Sequence, residues 1–206
     1  NLGVTLKRQQ NFVAATEVLR RAVRLSPADA RIHSNLAAAL RGAGDLRGAV
    51  AEITQAFDLA PGDTTIAHTL GAFSRDLGTE LYRKQDVNGA VAALRRASEL
   101  LPDDASVHVS LARALTRLGQ TDAAATEMAK AEEENRRSRD AIRAKALNNE
   151  GNQLVKSGDL DSGVQKLAAA VELAPGDPIS RYNYGVALLL ANRVDSSGPC
   201  QVTIRT

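Results

Sequence analysis

Four apolar runs in this chain end in proline: VRLSP closes at Pro27, FDLAP at Pro61, SELLP at Pro102 and VELAP at Pro175. A small residue stands five positions before each proline, as Ala22, Ala56, Ala97 and Ala170, and Leu19, Ile53, Leu94 and Leu167 stand three before that. Four residues further back come Ala15, Ala49, Ala90 and Gly163. Spacings of three and four place all these residues on one face of a helix, and small side chains on that face let a neighbouring helix approach closely. The proline then forbids the helix from continuing. Pro27 and Pro61 lie 34 residues apart, so the pattern is periodic and any fold must be built from a repeated unit.

A second helical pattern precedes each of these runs. Leu36-Ala37 is followed by Leu40, Leu111-Ala112 by Leu115, and Tyr184-Gly185 by Leu188. Gly44, Gly119 and Gly158 stand where a helix C-terminal glycine is expected. The unit is therefore a helix, a tight turn, a helix and a proline-marked turn. Composition agrees, because 44% of the residues are hydrophobic but only 3% are aromatic and none is Trp. A core of Ala, Leu and Val suits closely packed helices better than sheets.

This unit resembles the tetratricopeptide repeat, in which Leu-Gly, a large residue, Ala, a bulky residue, Ala and Pro follow one another over 34 positions. The resemblance implies an all-α fold, a right-handed superhelical solenoid of antiparallel helix pairs. It divides the chain into an array over 1–135 of four repeats, a charged helical seam over 136–143, a fifth repeat plus half of a sixth over 144–195, and a non-repeat tail over 196–206. The first repeat of the array is incomplete and the third has a lengthened first helix.

The departures from the period carry information. Pro61 and Pro102 are 41 residues apart, seven more than one unit, and seven residues are about two helical turns, so a lengthened helix keeps its buried face in register. Leu70-Gly71 and Leu77-Gly78 both fit the Leu-Gly slot, and the spacing does not choose between them. The longer helix is either inert or a docking knob carrying Phe73 or Tyr82. Around AKAEEENRRSRDAIRAKA no proline intervenes, so one helix runs from Thr121 to Val155 or bends near Asn135. Glu150 occupies a slot that is apolar in the other units, and NNEGNQL is similar to the opening repeat of chaperone-cofactor modules of the same family. Ser196, Ser197, Gly198 and Pro199 are read as ending the last helix.

Lys and Arg number 26 against 24 Asp and Glu, a net charge of +2 that gives no nucleic-acid surface. The single Cys200 forms no internal disulfide and leaves the compartment open, cytoplasm or periplasm alike, for a soluble chain with no apolar run long enough for a membrane span. The first residue is Asn and no charged-then-apolar leader follows, which reads as an excerpt or a processed product. No paired carboxylates, nucleophile and base, or phosphate loop stand at useful spacing, so no enzyme and no cofactor are expected. RGAGDLRG lies between helices rather than after a strand. His33 and His108 are read as packing histidines, and with His68 they are too scattered for a metal site.

The expected activity is binding. In the family the stacked first helices form a concave groove. The position before the Leu-Gly slot, which the resemblance places in that groove, holds Asn1, Asn35, Asn149 and Asn183, with Ser110 in the fourth unit. An Asn amide offers donors and an acceptor, so a ladder of them can pair with the backbone of an extended peptide. Asn152 and Asn183 also match two asparagines of the family's carboxylate clamp, whereas Asn148 stands where that clamp has Lys and its remaining members have no counterpart. Lys7, Arg8, Arg41, Arg83, Arg113, Arg117 and Lys156 give the groove a mildly positive rim favouring acidic partners, or serve solubility alone. The expectation is a non-enzymatic scaffold holding a peptide or protein segment. The alternatives are a structural subunit that self-associates through uncapped repeat ends and the targeting domain of a larger enzyme.

Overall fold

A computed structural model describes the backbone of residues 12–197 and the side chains of residues 12–192. Asn1, Lys7, Arg8 and the tail from Gly198, with Pro199 and Cys200, lie outside the described residues. Every element among the described residues is helical: α1 (Phe12–Leu25), α2 (Ala30–Gly42), α3 (Leu46–Leu59), α4 (Thr64–Arg83), α5 (Val87–Leu100), α6 (Ala105–Arg117), α7 (Thr121–Ser157), α8 (Leu160–Leu173) and α9 (Pro178–Ser197). The chain is an all-α stack of helix pairs, and it divides into two compact units, residues 1–134 and 135–206.

The helix starts share one device. Asp29, Asp63, Asp104 and Asp177 each stand two residues after a proline, and their carboxylates accept from the first free backbone N–H groups of α2, α4, α6 and α9 at 2.9–3.2 Å. Asp45, Asp86 and Asp159 do the same for α3, α5 and α8. The turns inside the pairs are also alike. Gly44, Gly119 and Gly158 have positive φ, and the next residue's N–H returns to a carbonyl five residues back, as in Asp45 N to Leu40 O at 2.9 Å. In the third unit Gln85 takes this place with φ 69°, a conformation L side chains adopt at a cost of about 1–2 kcal/mol.

The small-residue face is the core. Ala15, Ala49, Ala56, Ala90, Ala97 and Ala170 are fully buried, as are Ile53 and Leu167. Burying each large aliphatic side chain stabilises by about 1.5–3 kcal/mol. In the first unit the core falls into two main clusters. Ala15 to Phe73, from α1 to α4, form one, and α5, α6 and the start of α7 form the other with Leu77, Leu81 and Tyr82 of α4. The lengthened α4 thus serves both, which resolves the ambiguity of the two Leu-Gly pairs: both face α5. A methyl group on Gly71 would stand 2.7 Å from Leu101 Cγ, and one on Gly78 would stand 2.6 Å from Leu94 Cγ. Phe73 is buried and Tyr82 half-buried, so neither forms a protruding knob.

Two histidines brace successive elements in the same way. His33 Nε2 lies 2.9 Å from Pro27 O and its Nδ1 2.7 Å from Glu52 Oε2. His108 repeats this with Pro102 O at 2.9 Å and Glu127 at 2.6 Å. Each ring ties the preceding turn to the first and second helices of its own pair. Both ring nitrogens of each histidine face an oxygen, one of a carboxylate and one of a backbone carbonyl.

In the second unit, the C-terminal part of α7 packs on α8 through Gly151 against Leu167 and Gly163 against Val155, and α9 packs on α8. Glu150, in the slot that is apolar elsewhere, is exposed and paired with Lys166 at 2.9 Å. The serines expected to end α9 do not. The helix runs through Ser196 and Ser197, because serine costs a helix only a few tenths of a kcal/mol to about 0.7 kcal/mol relative to Ala.

Candidate functional site

The first helices α2, α4, α6 and α9, with the C-terminal part of α7, carry the groove candidates. Each buries one stripe against its partner helix and leaves another stripe available. On α2, Asn35 is half-buried beside the fully buried Leu36 and Ala37. Arg41 is exposed and committed to α4: its Nε and Nη2 donate to Asp76 at 3.1 and 2.6 Å, and its guanidinium lies 5.0 Å from the centre of the Phe73 ring. Asp76 immediately precedes Leu77-Gly78, so it holds in the third unit the slot that Asn35 holds in the second. That position was the available signal for a partner the sequence reading did not name.

On α6, Ser110 is half-buried and its hydroxyl donates to Ser106 O at 2.8 Å, back-bonding along its own helix. Arg113 is exposed, with no ion-pair partner among the described residues. Arg117 lies 5.5 Å from the centre of the Tyr82 ring and donates to Gln85. Arg75 joins α4 to the start of α6 through Asp104 at 3.0 Å. Burial pushes the Asp104 carboxyl up, but hydrogen bonds from the Ser106 hydroxyl and N–H and from Arg75 outweigh it and hold the group below the usual carboxylate range. In this unit the arginines thus differ: Arg41 is largely neutralised by Asp76, while Arg113 keeps its charge available.

In the second unit Asn152 is half-buried on α7, and Asn149 and Lys156 are exposed. Asn183, half-buried on α9, donates through Nδ2 to Asn148 Oδ1 at 3.0 Å, joining two first helices directly. The partner is the buried Asn148 rather than Asn149, one residue later on the same helix. The pair uses one donor and one acceptor. The Asn148 amide nitrogen and the Asn183 carbonyl oxygen keep hydrogen-bonding capacity.

Among the described residues no group of three His, Cys, Asp or Glu side chains is placed to hold a metal ion, and no helix is long and apolar enough to cross a membrane. His33 and His108 have both ring nitrogens engaged in the braces described above.

Two family profiles, each described as Tetratricopeptide repeat, match the chain, one over residues 81–147 and the other over residues 1–64 and 148–198. No curated protein matches it. Among solved structures, MamA MSR-1 C2 is 20% identical over 66% of this chain and 75% of its own, with a TM-score of 0.50. MamA 41-end from Desulfovibrio magneticus RS-1 is 19% identical over 86% of this chain and 94% of its own, with a TM-score of 0.48. YrrB, described as a TPR protein with an unusual peptide-binding site, is 17% identical over 94% of this chain and 90% of its own, with a TM-score of 0.47.

Proposed function

Because the chain belongs to the tetratricopeptide repeat family, we propose that it is a non-enzymatic protein-interaction scaffold that holds a peptide or protein segment against its first helices. The observation that carries this reading is the hydrogen bond between Asn183 and Asn148, by which the amides of two first helices stand together with donor and acceptor capacity to spare. Such a pair can read the backbone of an extended segment without demanding a particular side chain. Asn35 and Ser110 hold the corresponding slot in the first unit, and the charge of Arg113 favours segments that carry carboxylates. Each hydrogen bond contributes only about 1 kcal/mol net, so affinity arises from several shallow contacts and micromolar binding is expected.

The test begins with a pull-down by the intact chain and identification of what it retains. A variant combining Asn35→Ala, Asn149→Ala and Asn183→Ala should then bind the retained segment about tenfold or more weakly while melting near the parent temperature. Superimposable titration curves for parent and variant would remove the amide reading.

A second reading, self-association, is favoured by the exposure of Ile179, Tyr182 and Leu189 on α9. Sedimentation of the intact chain over a concentration series separates it from the first.

A further inference from the structure

The helix α9 is unlike the other first helices in what it leaves uncovered. Its buried side is narrow, made by Ser180 and Ala187 with half-buried Asn183, Tyr184 and Ala191 beside them. Ile179, Tyr182, Val186 and Leu189 recur at helical spacings of three and four and are 63, 71, 37 and 67% exposed. Leu190 lies in the same stripe and is 38% exposed. Ile179 and Val186 flank Asn183 at i−4 and i+3, so the stripe borders the amide that reaches across to Asn148 of α7.

The neighbouring wall has the opposite character. On α7, Lys145, Asn149, Asn152 and Lys156 follow one another at spacings of four, three and four, a single column beside Asn148. Both lysines are exposed and neither has an ion-pair partner among the described residues. Of the acids nearest the column in sequence, Glu150 is paired with Lys166 and Asp159 caps the start of α8 by accepting from Ser162 N–H. The second unit therefore presents an apolar wall and a wall with two unpaired lysines, hinged on the Asn148–Asn183 hydrogen bond.

We infer that this two-walled surface takes an extended segment of another protein in which apolar residues alternate with acidic ones. The apolar side chains lie on Ile179, Tyr182 and Val186, the carboxylates face Lys145 and Lys156, and the backbone runs along the amide pair. The inference rests on the groove reading above and names the partner class for one part of it. Charge complementarity selects this occupant over a second copy of the chain, because two α9 stripes placed together would bury apolar surface and leave the lysine column unmatched. A purely acidic segment would in turn leave the apolar wall in water, forgoing about 25 cal/mol for each Å² that could be covered.

Three short fluorescein-labelled peptides, alternating Leu-Asp, Ser-Asp and Leu-Lys, titrated against the intact chain by fluorescence anisotropy, test this. The Leu-Asp peptide is expected to bind about tenfold or more tightly than either of the others. Tyr182→Ser with Val186→Ser should remove that advantage, and Lys145→Glu with Lys156→Glu should weaken Leu-Asp while favouring Leu-Lys. All four positions are at least partly exposed, and circular dichroism of each variant checks that the helices persist. Equal binding of Ser-Asp and Leu-Asp overturns the apolar wall and leaves the groove reading standing. Binding by no peptide in the millimolar range overturns the inference and, for this unit, the groove reading with it. A dimer that Tyr182→Ser dissolves overturns the inference by making a second copy the occupant.

Discussion

The imidazole of His108 stands 2.6 Å from the carboxylate of Glu127, nineteen residues later in the chain, while its other nitrogen meets Pro102 O at 2.9 Å. His33 makes the same pair of contacts with Glu52 and Pro27. The His108 side chain is 4% exposed and that of Glu127 14%, against 8% and 28% for His33 and Glu52, so the later brace is better shielded from water.

Replacing His108 by Ala should therefore destabilise the first unit by about 1–3 kcal/mol, since it leaves Glu127 Oε2 and Pro102 O without this partner while Lys130 still holds Glu127 Oε1. His33→Ala should cost less, and the double variant should lose the sum, because the braces share no partner. Urea unfolding of the three variants checks the order. Equal small losses would mean that the rings act only as filler.

Acid should loosen the first unit in a defined window. Burial pushes the Glu127 carboxyl up, but hydrogen bonds from Lys130 and His108 outweigh it and hold the group below its usual value, and Asp104 is held low by Ser106 and Arg75. A carboxyl whose folded-state pKa is depressed stabilises the fold above its unfolded value, and that contribution disappears as pH falls through the folded value. Unfolding free energy should thus decline as pH drops from about 5 towards 3, with Asp104→Asn flattening the decline. A slope identical in parent and Asp104→Asn would refute the assignment.

Gln85 with φ 69° occupies the turn position that is glycine in the neighbouring pairs. Gln85→Gly should raise stability by about 0.5–1 kcal/mol, the relief of a left-handed backbone being only partly offset by the flexibility of glycine in the unfolded chain. Loss of the surface bond to Arg117 subtracts little. Thermal melting of the variant decides the matter, and a lowered melting point would show that the Gln85 side chain outweighs its backbone.

The paired helices were legible in the sequence because proline, small residue and aliphatic residue recur on one helical face at short range. The capping carboxylates were equally local, yet passed unread: Asp29, Asp63, Asp104 and Asp177 each follow a proline by two residues. The fates of the site residues were not legible, because they depend on partners tens of residues away. Arg41 reads as a rim cation until Asp76, 35 positions on, lies beside it. Asn149 fits the ladder slot by alignment, but Asn183 bonds Asn148, since the tilt of one helix on the next decides which of two adjacent amides is reached. The exposure of α9 likewise depends on packing, as spacing alone does not say which face of an apolar helix its neighbour covers.

Seven added residues turn a helix by nearly two full circles, to within about 20° of where it began. Five would have swung Leu81 and everything after it by roughly 140° relative to Phe73. The extra heptad of α4 thus survives as a change of phase close to zero, and an in-frame gain or loss of 21 bases is the genetic step that this helix tolerates. With both hydrophobic clusters seated on one rod, melting either strips the other's wall, so calorimetry should see the two as a single thermal event.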